Sequence, residues 1–326
     1  MSAPHDTSEP KANDPFVVTT AADVVDAGDG VLSLREAVDA ADANAGTDTI
    51  TFADGLSGAT IRLDRGVPIM DDLVIDGDAA DGGPGGVTID FAESLRDSDI
   101  SKDTFRAYAG ADLRIEDLTV LGSGVRGYAA LDLARVRVEA TEGYYSGNAV
   151  QIEGGTLNVT DSTIIGGAYD GISGGGTVTV TRSEVGTRAS YDGSAIGVAG
   201  KVTVVDSLIN GVSGDVYASG IRVFATDDAE LVMVNSTITG VRAGSYGGNA
   251  VTLDDGVQAT ITNSTLAGND FDFSDIPPDR DFTAAVFGLG EGAELRLENS
   301  LVLANAAPDG EAALAAGGGT LASNGG

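Results

Sequence analysis

The chain has 326 residues, of which 50 are acidic and 18 basic, so its net charge at pH 7 is −32. This charge opposes binding to nucleic acid and to anionic lipid, and the Asp-rich surface, with Lys11, Lys102 and Lys201 as its only lysines, suits a saline habitat. The absence of cysteine excludes disulfides and thiolate metal sites, and no apolar run is long enough to span a membrane.

The first fifteen residues, MSAPHDTSEPKANDP, are polar and contain prolines, which predicts a disordered tail. They lack the charged-then-apolar pattern of an N-terminal secretory signal. Export through another signal and a mature or excised chain are both compatible with this start. The last residues, GGGTLASNGG, stop within a repeat pattern, which indicates a fragment of a longer protein.

A short helix is predicted near the N-terminus, at about residues 33–44. Leu34, Ala37, Val38 and Ala41 have helical spacing, and Ser33 with Glu36 three residues later forms a capping box. We expect residues 16–60 to form a cap that covers the open end of the domain that follows, at residues 61–326.

The rest of the chain repeats a short alternating strand that ends in Asp or Asn followed by Ser. Examples are LNVTDSTIIGG from Leu157, VTVVDSLINGV from Val202, LVMVNSTITGV from Leu231 and ATITNSTLAGN from Ala259. A second apolar run lies between these strands, as in YSGNAV from Tyr145 and YGGNAV from Tyr246. The strands of a β-sandwich are not expected to repeat the same short motifs in the same order. The pattern therefore predicts an all-β fold, a β-solenoid.

Equivalent residues of successive coils stack about 4.8 Å apart in a solenoid. We therefore expect a structural ladder at one turn, in which amide, carboxylate and hydroxyl groups satisfy loop backbone groups. Its members are Asp161, Asp206, Asn235, Asn263, Asn299, Ser162, Ser183, Ser207, Ser236, Ser264 and Ser300.

One stretch carries a family resemblance. LSLREAVDAADANAGTDTITF, from Leu32, resembles the CSLREA or LTLREAI signature of bacterial extracellular parallel β-helix proteins, and NSTITG and NSTLAG resemble their repeats. Leu32 stands where the family has Cys. The resemblance implies a single-stranded right-handed parallel β-helix with a pectate-lyase-like fold, in an adhesin-like protein at the bacterial cell surface or outside the cell. It carries over no agreed catalytic site.

The tyrosines are the first candidates for a binding surface. Six of the eight precede the second strand of their repeat by three to five residues, which predicts that they lie along one edge: Tyr128, Tyr145, Tyr169, Tyr191, Tyr217 and Tyr246. A buried aromatic stack would close the corner between strands, whereas exposed rings would suit a glycan or a partner protein. The sequence leaves both alternatives open.

An insertion at residues 268–283 is the second candidate. It carries Phe271 and Phe273 as candidate ligand contacts, and Asp270, Asp272 and Asp275 as weak candidates for a calcium site. Lateral packing of the insertion on the coils is the alternative. Asp42, Asn44 and Asp48 spell part of another calcium loop, but the glutamate that would close it is missing.

Catalytic signatures are weak. The only histidine is His5, in the tail, and the pairs Asp227-Asp228 and Asp254-Asp255 precede turns, where solvated carboxylates are common. We therefore predict a non-catalytic structural or adhesive module that binds a glycan, extracellular matrix or a partner protein. A polysaccharide lyase or related carbohydrate-active enzyme is one alternative, and a filament subunit that self-associates through its end coils is another.

Overall fold

The computed structural model describes residues 16–78, 86–91, 103–140, 147–188, 192–213, 217–242, 248–270, 285–303, 305, 315–317 and 319–324. His5, the predicted tail and most of the insertion therefore lie outside the described residues. Within them, no helix is long and apolar enough to cross a membrane.

The described elements are short strands and one α-helix. In chain order they are β1 (Val17–Val18), α1 (Leu34–Asp42), β2 (Asp48–Phe52), β3 (Thr60–Leu63), β4 (Val67–Ile69), β5 (Leu73–Asp76), β6 (Val87–Phe91), β7 (Phe105–Ala107), β8 (Leu113–Glu116), β9 (Leu118–Gly122), β10 (Val125–Gly127), β11 (Ala130–Ala134), β12 (Arg137–Ala140), β13 (Val150–Thr160), β14 (Thr163–Gly166), β15 (Ile172–Thr181), β16 (Glu184–Thr187), β17 (Asp192–Val205), β18 (Leu208–Asn210), β19 (Tyr217–Phe224), β20 (Glu230–Val234), β21 (Thr237–Thr239), β22 (Gly248–Leu253), β23 (Gln258–Thr262), β24 (Thr265–Ala267), β25 (Ala285–Leu289), β26 (Glu294–Glu298), β27 (Leu301–Leu303), β28 (Ala315–Gly317) and β29 (Thr320–Asn324). One 3₁₀ turn spans Asp54–Leu56.

These strands form a right-handed parallel β-helix, as predicted, and each full coil has three faces. Face A contains β4, β7, β10, the first parts of β13, β15 and β17, and then β19, β22, β25 and β28. Face B contains β2, β5, β8, β11, the later parts of β13, β15 and β17, and then β20, β23, β26 and β29. Face C is a separate sheet that runs from β3 to β27. Parallel pairing already includes β1 and β2, and DTITF of β2 alternates like the later strands.

Alternation along each strand builds the core. Inward side chains stack on their counterparts in the next coil, as Val150, Ile172 and Ile196 do on face A, and all three are fully buried. Each buried aliphatic side chain contributes about 1.5–3 kcal/mol as an upper estimate. The strand periodicity therefore places every second residue outside, where a ligand can reach it.

The corner between faces B and C contains the Asp/Asn–Ser pairs predicted to form a ladder. The first member of each pair has left-handed backbone geometry, which Asn and Asp adopt more readily than other non-glycine residues. Its φ angles lie between 47° and 56°, and the row also includes Asp117, Arg135 and Arg182.

The serines that follow form a continuous hydrogen-bonded chain. The backbone N–H of Ser207 donates to the Ser236 hydroxyl at 3.1 Å, and that hydroxyl donates to the Val234 carbonyl at 2.7 Å. The same pattern links Ser162 to Ser183 and Ser264 to Ser300. Since the members are buried or partly buried, this chain satisfies backbone groups at the corner.

The LSLREA segment forms the cap. Ser33 and Glu36 make the predicted capping box of α1, and Leu34, Ala37, Val38 and Ala41 are buried. Arg35 lies inside as well: its guanidinium binds the Asp23 carboxylate at 2.8 Å and donates to the carbonyls of Arg65 and Gly66. The motif thus anchors the helix on the first coils.

Candidate functional site

The repeated words YSGNAV and YGGNAV mark a polar corner between faces C and A. Asn148 accepts a hydrogen bond from the Asp170 backbone N–H at 3.0 Å, and Asp170 accepts one from the Ser194 N–H at 2.6 Å. Ser219 and Asn249 continue the row and are buried, with Thr252 as a shared partner. The motif therefore recurs because each coil needs a polar side chain that hydrogen-bonds with the next coil at this corner.

Tyr169 shows why a glycine precedes the asparagine. A Cβ on Gly147 would lie 1.8 Å from a ring carbon of Tyr169. Position 147 therefore has no room for a side chain while the ring is in this place. The Tyr169 N–H donates to the Gly147 carbonyl, and the Thr187 hydroxyl donates to the Tyr169 carbonyl. At this coil the tyrosine fills the corner.

The other predicted ligand residues cannot all be compared with Tyr169. Tyr217 begins β19, but its side chain is outside the described set. Also outside it are Tyr145, Tyr191, Tyr246, Phe271, Phe273, Asp272 and Asp275. Their role in ligand binding stays a prediction.

The prediction that the six tyrosines share one edge is wrong for Tyr128. In the observed register Val125 pairs with Val150, so β10 is the face A strand and Tyr128 follows it. Tyr128 therefore lies at the opposite end of the strand, toward face B. The short strand β10 was missed because it comes directly before another apolar run, at β11.

Tyr128 belongs to a line of equivalent positions that we call the A–B edge row. The row comprises the residues that follow, or end, the face A strands: Met70, Tyr108, Tyr128, Glu153, Gly175, Ala199, Phe224, Asp254 and Gly290. Met70, Tyr108 and Phe224 are exposed, by 61%, 37% and 36% respectively. Large apolar side chains thus face solvent along this edge.

Tyr108 and Tyr128 form an aromatic platform. Their ring centroids are 6.3 Å apart and the ring planes differ by 5°. Each side chain follows a β-strand, so its position is set by the stacking of two coils rather than by a long loop. Arg106 lies over the Tyr108 ring, 6.0 Å from its centroid. Parallel rings at a fixed position are suited to the C–H faces of a ligand.

Two arginines flank this platform, each two residues before its tyrosine. Arg106 and Arg126 pair in register, and both contact the Asp103 carboxylate, at 2.6 and 3.1 Å. Arg126 also binds Glu153 at 3.0 Å. The Arg126 Nε makes no hydrogen bond although it lies 3.1 Å from Asp103, so that contact is an ion pair with poor hydrogen-bond direction.

The electrostatics of these arginines favour binding over proton transfer. Burial lowers the pKa of Arg106, but its hydrogen bond and ion pair with Asp103 offset this, and the pKa is raised overall. A guanidinium so placed stays protonated at any physiological pH. The arginines can therefore donate hydrogen bonds but do not act as bases.

A second aromatic site lies further along the same row. The Arg222 guanidinium sits 4.4 Å from the centre of the Phe224 ring and 3.5 Å from Asp254 Oδ1. Beside them is a recess of 330 Å³, lined by Ala225, Thr252, Leu253, Asp254, Asp255, Gly288 and Gly290. It offers carboxylates beside the ring, whereas the Thr252 hydroxyl is already bonded at the C–A corner.

A larger groove of 660 Å³ runs along the B–C corner, between Asp161 and Asn235. Its polar groups already bind one another: Arg182 pairs with Asp161 at 2.7 Å and Asn235 donates to Asp206 at 3.2 Å. The groove is therefore the outer side of the ladder, and we place the candidate site on the A–B edge row despite its smaller recess.

The candidate calcium positions have other partners. Asp42 accepts backbone hydrogen bonds from Met70 and Asp71, and Asn44 donates to Asp48. The N–H of Asp270 donates to the Val241 carbonyl. No group of three or more metal-ligating side chains occurs within the described part of the chain.

Sequence reasoning missed Tyr108, Met70, Phe224, Arg106 and Arg126. A signal for the first was present, because Tyr108 and Tyr128 are twenty residues apart, close to one coil. For the others the sequence contains no such signal. An outward residue that contacts a side chain of the next coil has the same pattern along the strand as one that contacts nothing.

No protein-family model and no curated protein matches the chain. Solved structures similar to it include Escherichia coli YbhC, at 14% identity and TM-score 0.47, covering 82% of this chain and 75% of that one. The A-module of Azotobacter vinelandii mannuronan C-5 epimerase AlgE4 has 14% identity, TM-score 0.42 and coverages of 91% and 96%. Endo-xylogalacturonan hydrolase from Aspergillus tubingensis has 13% identity, TM-score 0.46 and coverages of 91% and 94%. These values carry nothing about the activity of this chain.

Proposed function

We propose that this protein is a non-catalytic β-helix module, secreted or displayed at a cell surface, that binds a glycan along the A–B edge row. The observation that carries the proposal is the parallel Tyr108–Tyr128 pair, held on stacked strands, in which Tyr108 is exposed and Tyr128 half-buried. A rigid platform binds without paying for loop ordering.

The surroundings of the platform fit sugar hydroxyls. Arg106 and Arg126 supply N–H donors, and Asp103 and Glu153 supply acceptors within hydrogen-bond distance of those donors. An alternating set of donors and acceptors beside an apolar surface is what hydroxyl groups on a ring with C–H faces require. A polyanionic nucleic acid, by contrast, would be repelled by the net charge of −32.

A non-catalytic role is supported by how the carboxyl groups are engaged. Burial raises the pKa of Asp42 and Asp76, and both accept backbone hydrogen bonds, Asp42 from the Met70 N–H at the end of the A–B edge row. A polysaccharide lyase would need a base at the platform. The two carboxylates there already form ion pairs with the flanking arginines.

A glycan array tests the proposal, with neutral and acidic polysaccharides applied to the wild type and to the Tyr108→Ala/Tyr128→Ala double variant. We expect binding by the wild type and a loss of about tenfold or more in the variant, because two ring contacts disappear. Leu301→Ala, which removes another exposed apolar side chain, is the matched control and should bind normally.

Two outcomes would overturn the proposal. Equal binding by the double variant and the wild type would remove the platform from the site. Release of unsaturated sugar ends during the incubation would identify a lyase. A Tyr145→Ala/Tyr191→Ala/Tyr246→Ala variant measures the contribution of the tyrosines predicted from the repeats.

A further inference from the structure

We infer that the Arg222–Phe224 site is a second subsite of the same surface, and that the ligand is an extended, uncharged polysaccharide lying parallel to the helix axis. This inference rests on the proposed function and adds the length, direction and charge of the ligand. The second subsite itself lies four coils away from Tyr128.

The spacing of the two aromatic sites sets the length. Tyr128 and Phe224 occupy equivalent positions four coils apart, through Glu153, Gly175 and Ala199. With about 4.8 Å between strands, the two rings are about 19 Å apart along the axis. A mono- or disaccharide bound at one ring cannot reach the other.

The stretch between the rings leaves a path for such a chain. Two of its three edge residues, Gly175 and Ala199, carry little or no side chain, and both are partly exposed. The rings thus stand at the two ends of a segment of this row in which Glu153 is the one large side chain. Beyond Glu153, an extended ligand meets no side chain of the row larger than a methyl group before it reaches Phe224.

Charge balance identifies the ligand class. Each arginine at the edge faces a carboxylate: Arg106 faces Asp103, Arg126 faces Asp103 and Glu153, and Arg222 faces Asp254. The surface therefore offers no excess positive charge to a uronate or sulfate group, and the whole chain repels anions. Hydroxyl groups can use both the donors and the acceptors.

The recess beyond Phe224 gives the far subsite its polar contacts. Asp254, Asp255 and Thr252 line it, and the glycines at 288 and 290 keep it open. A Cβ on Gly290 would lie 2.5 Å from the Asp255 Oδ1, so a larger residue there would displace that carboxylate. Sugar hydroxyls entering this space would donate to the carboxylates while the ring stacks on Phe224.

The test is a titration with neutral oligosaccharides, cello-, xylo- and manno-series from disaccharide to octasaccharide, beside acidic oligouronates of matched length. We expect affinity to rise with length until the ligand spans both rings, because the second contact becomes intramolecular. Phe224→Ala should weaken the longest neutral ligand by about two- to tenfold and leave the disaccharides unchanged.

A second variant tests the path itself. Ala199→Leu raises a side chain between the two sites while leaving both rings in place, so it should weaken long ligands and spare short ones. Leu303→Ala, an exposed apolar residue on face C, is the control and should change neither. Circular dichroism of each variant checks that the fold is intact.

The possible failures are distinguishable. If Phe224→Ala and Ala199→Leu bind the octasaccharide like the wild type while Tyr108→Ala/Tyr128→Ala does not, the second subsite is wrong and the proposed function stands. Tighter binding of oligouronates than of neutral ligands of equal length would overturn the charge assignment. No binding of any saccharide by the wild type would overturn the proposed function as well.

Discussion

The cap and the coils use the same type of ion pair in opposite environments. In the cap, Arg35 binds Asp23 at 2.8 Å with side chains only 5% and 4% exposed. At the B–C corner, Arg182 binds Asp161 at 2.7 Å with side chains 54% and 43% exposed. Nearly equal distances thus coexist with very different solvation, and solvation decides how much each pair matters.

Replacing each arginine by methionine gives the largest expected difference. Arg35→Met leaves the Asp23 carboxylate buried without its counter-charge and should lower the free energy of unfolding by about 3–5 kcal/mol. Arg182→Met should change it little, since solvent screens that pair. Urea unfolding followed by circular dichroism measures both.

Equal losses for the two variants would contradict the role of burial. Asp23→Asn provides a further check, because it removes the opposite charge from the cap pair and should destabilise by a similar amount. In the Arg35→Met variant, the helical circular-dichroism signal of the cap could disappear at a lower urea concentration than the strand signal of the coils. That result would show that the cap unfolds separately.

The serine chain distributes stability over many coils, and one serine should carry a moderate share. Ser236→Ala removes the hydroxyl that accepts from the buried Ser207 N–H, which should cost about 1–3 kcal/mol. Thr203→Ala, at an outward, partly exposed position on face B, should stay within about 0.5 kcal/mol. If Ser236→Ala lowered the free energy of unfolding no more than Thr203→Ala does, the serine hydrogen-bond chain would not contribute to stability.

The left-handed corner position gives a smaller effect that separates backbone from side chain. Asn263 has φ 50° and its side chain accepts from Asn299. Asn263→Ala and Asn263→Gly both lose that contact, but alanine also adopts an unfavourable backbone, so it should be about 1–2 kcal/mol less stable than the glycine variant. Equal melting temperatures would show that the backbone geometry costs nothing here.

The smallest effect is the pH dependence of the capping box. The Ser33 backbone N–H donates to Glu36 and lowers the pKa of its carboxyl below 4.5, although burial opposes this. Because the folded-state pKa is lowered, the stabilisation is present above pH 4.5 and is lost as the pH falls through the folded-state pKa.

Glu36→Gln should therefore lose about 1 kcal/mol or less at pH 7 and show a weaker decline in stability on acidification than the wild type. Thermal melts of both proteins between neutral pH and about pH 3 measure it. Identical slopes for the two proteins would assign the acid sensitivity to other carboxyls.

Much of the fold was predictable because coils repeat. The words ending in Asp-Ser and Asn-Ser place their residues at one corner, and the capping box and apolar spacing predict α1. Tyr128 was assigned to the wrong edge because β10 is only three residues long, too short for its alternation to stand out beside β11. Its position depends on pairing with β7 and β13, which lie in other coils.

By itself the sequence determined the solenoid, the cap helix and the absence of cysteine chemistry, because these follow from local periodicity and composition. Only the tertiary structure decided which outward side chains meet. Tyr108 stacks on Tyr128, and Arg222 on Phe224, through the register of neighbouring strands and the direction of each side chain. A surface site of this kind is built across coils, and a pattern read along one strand does not contain it.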